Sequence, residues 1–427
     1  MQLQALPGFR DFFPADHLIR SHVFAAWRSV ATRYGFEEYD GPPLEPLELY
    51  TAKSGDEIVG QLYNFEDKGG RQVSLRPEMT PTLARMVAAR ANGLRKPIRW
   101  FSIPQLFRYE RQQRGRLREH FQLNCDLIGE AGPGADAEII ALAIDVMRAL
   151  GLTSSDFKVR LSDRRFLDAV LRERNQNEAQ IAVWRQVLDK FSRTPEEVSR
   201  QKLRDAGITD SDAYGVIRLV KSKTWEPLRT VAPLPGALEL LAVVDLLGAM
   251  GLGDYVEPDF TIVRGLAYYT GTVFELFDIQ GELRAICGGG RYDNLVGAIG
   301  GVDLPCVGFG MGDVVLGELL KERGLLPSTD ARLDVFVATV TDEDRPEALA
   351  LAHELRDAGI STEYALASQA LGKQLKQADA RGARCAVVIG PDDRARGEVQ
   401  LKDLASHRQL AAKRSDAVGA VTALLAG

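Results

Sequence analysis

The sequence predicts an α+β protein of about three folding units, and three observations carry that expectation. At roughly 150 residues per domain, 427 residues exceed a single module. Residues 96–129 and 258–290 read as strands on either side of a helical stretch at 166–230. The last hundred residues alternate strands with helices. Together they give a strand-rich first domain containing an antiparallel hairpin, a helical insertion within it, and a small C-terminal α/β domain with a mainly parallel sheet.

Composition narrows the function classes. With 45% hydrophobic and 26% charged residues, a disordered, collagen-like or coiled-coil chain is excluded. The net charge of −6, from 53 basic and 59 acidic side chains, offers no bulk attraction to polyanions. Any phosphate or nucleic-acid role must therefore rest on local clusters. Cys125, Cys287, Cys306 and Cys385 lack CxxC spacing. That argues against a disulfide framework or structural zinc and predicts reduced thiols and a cytoplasmic location. No signal-length apolar region opens the chain and no 18-residue uncharged apolar run occurs, so neither export nor membrane spanning is expected.

The elements follow in chain order. Ile19, Val23, Trp27, Val30 and Tyr34 recur at spacings of four and three, predicting an amphipathic helix from Pro14 that Gly35 closes. The prolines of YDGPPLEPLE, 39–48, push their neighbours toward extended geometry, which suits an edge or interface segment. Thr80-Pro81 is expected to cap and open a second helix reaching Asn92-Gly93, and 137–150 a third, closed by Gly151. The first domain so far spans 1–165. In 166–230, Ile181, Trp184, Val187, Leu188 and Phe191 hold helical spacing and Thr194-Pro195-Glu196-Glu197 marks a helix start. The first domain resumes over 231–325, with TVFELFDI and ELRAIC as strands leading into Gly288-Gly289-Gly290. After the linker GLLPSTDAR, residues 331–427 read as strand DVFVATV, helix 342–358, strand 361–365, helix 371–382, strands RCAVVIG and EVQLKDL, and helix 415–425.

The densest polar constellation is LFRYERQQRGRLREHFQLNCDLIG, 106–129. Period-two alternation puts Arg108 and Glu110 on one face, and Gln122, Asn124 and Asp126 on one face of a second strand, opposite Phe121, Leu123, Cys125 and Leu127. An antiparallel hairpin with a long loop results. It is either a solvated polar face or an anion site. Arg108, Arg111, Arg114, Arg116 and Arg118 favour the anion, because clustered guanidiniums repel one another unless a guest such as phosphate accepts their donors. Three weaker signals stand elsewhere: FTIVRGLAYYTGTVFE (260–275), CGGGRYDNLVG (287–297), whose glycines let backbone approach a ligand, and LRPEMTPT (75–82), with Glu78 and Thr80 at a strand-to-helix junction. Taken alone, the first two read more readily as structural turns with core tyrosines, and the third as a helix cap.

In this order the segments resemble class II aminoacyl-tRNA synthetases, and among them the histidyl-tRNA synthetase family, over nearly the whole chain. GFRDFFP is similar to the family's opening signature, YDGPPLEPLELY to motif 1 with Pro42, FRYERQQRGRLREHFQ to motif 2, and VGFGMGDVVL falls at motif 3. LRPEMT, VRGLAYYTGTVFE and GGGRYD resemble its histidine-binding signatures, and 331–427 its anticodon-binding domain. The resemblance implies a class II catalytic domain on an antiparallel sheet, a homodimer through motif 1, and ligation of L-histidine to tRNA(His) using ATP with Mg²⁺. The route would pass through a histidyl-adenylate, releasing pyrophosphate and AMP.

By position, the resemblance implies that Arg108 binds the α-phosphate, Glu110 the adenine amino group, and that Arg116 lies near the phosphates. Glu78, Thr80 and Gln122 would hold the substrate α-amino group; Asp126, Tyr269 and Tyr292 would read the imidazole; Arg264, with Arg108, would stabilise the transition state. Gln113 and Arg114 at the loop tip, and Lys373 and Lys376 within the net +3 stretch 373–396, are candidate tRNA contacts. The chain departs from the family pattern at Val315, where motif 3 usually carries an arginine, at Ala267 in place of Asp, and at Asp126 in place of the commoner Glu. Two other readings follow from the motif 3 gap. One is a synthetase-like regulatory subunit of ATP phosphoribosyltransferase, the other a catalytically inactive tRNA-binding module.

Overall fold

The computed structural model describes residues 3–54, 59–109, 114–191, 194–230, 234–262, 268–280, 283–328 and 333–426. The chain divides into two compact units, the larger ending at Pro327 and the smaller running from Ser328.

The larger unit is built on one sheet, nine-stranded among the described residues. Its strands are β1 (Glu37–Glu38), β2 (Ile98–Ser102), β3 (Gln105–Phe107), β4 (Glu119–Ile128), β5 (Phe157–Asp163), β6 (Val256–Pro258), β7 (Thr272–Asp278), β8 (Cys287–Arg291) and β9 (Cys306–Gly312). The order is β1-β2-β4-β9-β8-β7-β5-β6, with β3 paired to β4 off this path. Pairings inside the sheet are antiparallel and only the two edge pairings, β1 with β2 and β5 with β6, are parallel. The hairpin read from 106–129 is β3 against β4, with Leu106 opposite His120.

Two helices pack their apolar stripes with the sheet's apolar side chains. In α1 (Pro14–Arg33), Val23, Trp27, Val30 and Ala31 are buried, and Gly35 follows the helix at φ +75°, where only glycine turns without strain. A second helix, α2 (Thr80–Arg90), begins with Met79 as its N-cap. Thr80 therefore stands inside the first turn, not at the cap where the sequence put it. A third, α3 (Pro133–Ala149), starts a turn earlier than expected because Pro133 takes the first helical position, where a missing N–H costs nothing. Helices α1 and α3 share one core with Leu123, Cys125, Leu127, Val307 and Met311, so Gln122, Asn124 and Asp126 are left on the other face of β4.

Residues 164–230 form the helices Arg164–Glu173, Glu178–Asp189, Glu196–Asp205, Asp210–Val220 and Glu226–Thr230. Asn177 and Gln180 make a reciprocal capping box for the second of these. Their apolar stripe, with Ile181, Trp184, Val187 and Leu188, is buried as the spacing predicts. The helix expected at Thr194 begins instead at Glu196 with Pro195 as its N-cap. A second correction concerns ELRAIC. Residues 283–286 are not strand, and the strand is the glycine run itself. A Cβ on Gly289 would meet the Gly308 carbonyl at 2.6 Å, and one on Gly290 the Thr272 carbonyl at 2.6 Å, so close strand approach demands glycine there. The fourth helix used below, α4 (Asp313–Glu322), follows β9 directly.

The smaller unit is a five-stranded sheet among the described residues, ordered Thr362–Tyr364, Val335–Thr339, Cys385–Ile389, Glu398–Asp403, Gln409–Lys413. Its first three strands run parallel, and the last two continue antiparallel. The final strand, QLAAK, escapes sequence reading because all its residues but the part-buried Ala412 are exposed and its sequence shows no alternation. All four cysteines are buried free thiols. Among the described residues no helix is long and apolar enough to cross a membrane.

Candidate active site

The polar face of β4 forms a site because the strands beside it carry glycine. Register sets Gly308 opposite Asp126 and Gly310 opposite Asn124. A Cβ on Gly308 would stand 2.1 Å from Asp126 Oδ1, and one on Gly310 2.6 Å from Gln122 Cδ. The space these side chains fill exists only because those Cβ atoms are missing.

A small pocket of about 80 Å³ results, lined by Glu78, Thr80, Arg108, Gln122, Asn124, Asp126, Tyr268, Tyr269 and Tyr292 with glycines of β8 and β9. Tyr292 Oη donates to Asp126 Oδ1 at 2.5 Å, and burial pushes Asp126 up to about 7. Tyr268 Oη donates to Glu78 Oε2 at 3.2 Å. Burial raises Glu78 above the usual carboxylate range, with the Arg108 charge and the Tyr268 hydrogen bond opposing. The Tyr268 ring lies edge-on to Tyr269 and Tyr292, at 5.3 and 5.8 Å between centroids, giving an aromatic wall.

Arg108, Gln122, Tyr269, Gly288 and Gly310 also line a larger cleft of about 460 Å³, so the two cavities share walls. Arg108 is aimed by its Nε, which donates to the Pro77 carbonyl at 2.9 Å. Arg116, His120, Glu275, Arg284 and Val315 stand in the same cleft. Burial, then the neighbouring charges of Arg284 and Arg108, depress the Arg116 guanidinium. His120 is pushed down to about 3 by burial and by Arg108, Arg10 and Arg116, so its imidazole is neutral.

The arginine run does not act as one cluster. Arg108 and Arg116 converge on the cleft, whereas Arg114 pairs with Glu322 at 2.6 Å and Glu318 at 3.6 Å on α4, and Arg118 stacks over Tyr109 at 4.5 Å. Arg111, Glu110, Gln113, Arg264 and Ala267 lie outside the described residues. Lys373 and Lys376 are on the helix Leu371–Ala380 of the smaller unit, both exposed. Arg381, Arg394 and Arg396, from the same basic stretch, pair with Glu363, Asp344 and Glu398.

Sequence reasoning missed Tyr268, His120 and Arg284. Tyr268 is visible in the sequence only as half of a common Tyr-Tyr pair. Arg291, which the sequence places in a ligand-facing glycine segment, has another role. It is buried and pairs with Asp136 at 2.5 Å, while donating to the carbonyls of Glu130 and Gly132.

A polar pocket and arginine-lined cleft on a sheet that is antiparallel except at its edges define a class II aminoacyl-tRNA synthetase architecture. A family model described as Histidyl-tRNA synthetase matches residues 8–312, and one described as Anticodon binding domain matches 334–424. The chain is 47% identical to a Histidine--tRNA ligase of Opitutus terrae over 95% of both chains. It is 42% identical to one of Leptospira biflexa, over 96% of this chain and 95% of the other. The crystal structure of a histidyl-tRNA synthetase from Nostoc sp. PCC 7120 superposes with a TM-score of 0.85 at 28% identity, covering 99% of each chain. This chain belongs to the histidyl-tRNA synthetase family. The regulatory-subunit reading is not favoured, since the full-length relatives are ligases and the anticodon-binding segment is present.

Proposed function

We propose that the small pocket takes L-histidine, that the adjoining cleft takes ATP, and that the two react there to a histidyl-adenylate before transfer to tRNA(His). Family membership carries the ligation itself: the chain joins histidine to tRNA. One observation carries the assignment of sites. A pocket with buried carboxyl and tyrosine hydroxyl groups shares its Arg108 wall with a cleft where guanidiniums meet.

The roles follow from chemistry. An imidazole offers one N–H and one lone pair, and Asp126 with the hydroxyls of Tyr292 and Tyr269 supplies partners for both. Glu78, Thr80 and Gln122 accept from the α-ammonium. The histidine carboxylate attacks the α-phosphorus, one P–O bond forms as another breaks, and pyrophosphate leaves. Arg108 and Arg264 offset the charge that builds there, Arg116 holds the phosphates and Glu110 the adenine. Among the described residues no three His, Cys, Asp or Glu side chains gather to hold a metal. Mg²⁺ would be held by the phosphate oxygens of ATP, with Glu275 a carboxylate lining the cleft.

In this reading residues 1–165 and 231–325 are the catalytic domain, 166–230 its helical insertion and 331–427 the anticodon-binding domain, with Gln113, Arg114, Lys373 and Lys376 meeting tRNA. The protein works in the cytoplasm as a homodimer through the 39–48 segment; sedimentation at twice the monomer mass checks the dimer. The site assignment is tested by histidine-dependent ATP–pyrophosphate exchange. Arg264→Ala is expected to cut exchange by about 10²–10³ while histidine binding changes little, the effect of removing one preorganised donor. Near-normal exchange sinks the role, and equal exchange with another amino acid sinks the specificity.

A further inference from the structure

A third guanidinium enters the cleft from a segment that has no role in the reading above. Arg284 lies on the irregular residues before β8 and lines the cleft together with Arg108, from the end of β3, and Arg116, from the loop before β4. Its placement is dictated by the sheet. In the β8–β9 pairing Cys287 stands opposite Met311. The Gly312 N–H then donates to the Ile286 carbonyl at 3.3 Å, which carries the antiparallel register one pair beyond the strands. The segment holding Arg284 is thereby brought alongside the start of α4, where Val314 and Val315 form an apolar part of the same cleft.

Two features of this juxtaposition point to a ligand. Arg108, Arg116 and Arg284 come from three separate elements, so no local chain constraint forces their guanidiniums together, yet they face one cavity. Forked guanidinium donors match phosphate oxygens in pairs, so three of them lining one cavity, with Glu275 the carboxylate in the same lining, suit a polyanion. The second feature is the wall opposite. Position 315, where the resemblance expects an arginine, carries valine, so a cation absent from α4 is delivered from the segment packed beside it.

We propose that Arg284 is an ATP-binding residue that holds the polyphosphate, supplying this cleft with the guanidinium that position 315 lacks. The inference rests on the reading of the cleft as the ATP site. Histidine-dependent ATP–pyrophosphate exchange by the full chain, wild type against Arg284→Ala, tests both. KM for ATP and for pyrophosphate is expected to rise about tenfold or more, the size of one lost charge-assisted hydrogen bond. KM for histidine, and inhibition by adenosine, which has no phosphate, are expected to stay unchanged. Direct titration of the variant with ATP reads the same loss without turnover, and an unchanged thermal midpoint shows that it is folded. Unchanged KM values for ATP and pyrophosphate overturn the inference. So does weakened adenosine inhibition with an unchanged pyrophosphate KM, which would put Arg284 on the base. A wild type without exchange overturns the ATP-site reading and this inference with it; an active wild type matched by the variant overturns this inference alone.

Discussion

Asp126 combines a legible feature with one that no sequence rule could give. Alternation along β4 puts it beside Gln122 and Asn124 on the polar face, and the structure agrees. Its partner Tyr292 is 166 residues away, and only the fold brings that hydroxyl to its oxygen. The consequence is electrostatic. Burial raises Asp126 to about 7, against about 3.9 for an unfolded chain, so between these values the folded protein binds the extra proton and stability falls as pH rises through that window. The effect is complete above about pH 7. Asp126→Asn keeps an acceptor for Tyr292 and cannot ionise. It is expected to raise the melting temperature relative to wild type more at pH 8 than at pH 5, while abolishing measurable histidine-dependent exchange. A melting difference independent of pH would contradict this account of Asp126. The ionised carboxylate accepts more strongly from an imidazole N–H than the protonated carboxyl does, so in the proposed site wild-type KM for histidine is expected to fall as pH is raised from 6 to 8.

At the scale of elements, strand and helix identity was legible where periodicity was strong, as in α1 and β4. It failed where packing overrode it. The glycine run at 288–290 reads as punctuation by itself, yet it is a central strand because its neighbours approach too closely for side chains. Such a strand contributes few apolar contacts of its own and is held at its end by Arg291. That guanidinium ties β8 to α3 through Asp136 and to two carbonyls just before that helix, with both charged groups nearly excluded from water. Removing one partner leaves the other charge buried, at a cost of about 3–5 kcal/mol. Arg291→Ala is therefore expected to lower the unfolding free energy read from urea titration by that amount, and Arg291→Lys to recover only part, since one ammonium cannot reproduce the fork. A loss below about 1 kcal/mol would place the pair among weakly coupled surface bridges instead. Gly317, on α4, is the contrast, because an added Cβ there would meet nothing within 4 Å: Gly317→Ala is expected to stabilise by up to about 1 kcal/mol in the same titration.

For the whole molecule, net charge is a poor guide to a chain that joins histidine to tRNA, and much of its local basic charge is taken up by carboxylates. At −6 the chain's net charge supplies no bulk attraction to RNA. In the proposed reading the exchange chemistry belongs to the larger unit, which holds Glu78, Arg108 and Asp126, whereas Lys373 and Lys376 belong to the smaller. Within that unit Arg381, Arg394 and Arg396 are occupied by carboxylates, and among the described residues Lys373 and Lys376 make no ion pair. Their charge is thus available to phosphate. Separation of the two chemistries lets one variant test the division of labour. Lys373→Glu with Lys376→Glu in the full chain is expected to lower kcat/KM for histidine charging of tRNA about tenfold or more, chiefly through KM for tRNA. The dependence of that KM on salt should become shallower as phosphate contacts are lost. ATP–pyrophosphate exchange, which needs no tRNA, should keep its wild-type rate. If charging and exchange fell together, the lysines would be acting on the fold rather than on RNA; if neither changed, the anticodon surface would lie on another face of the smaller unit.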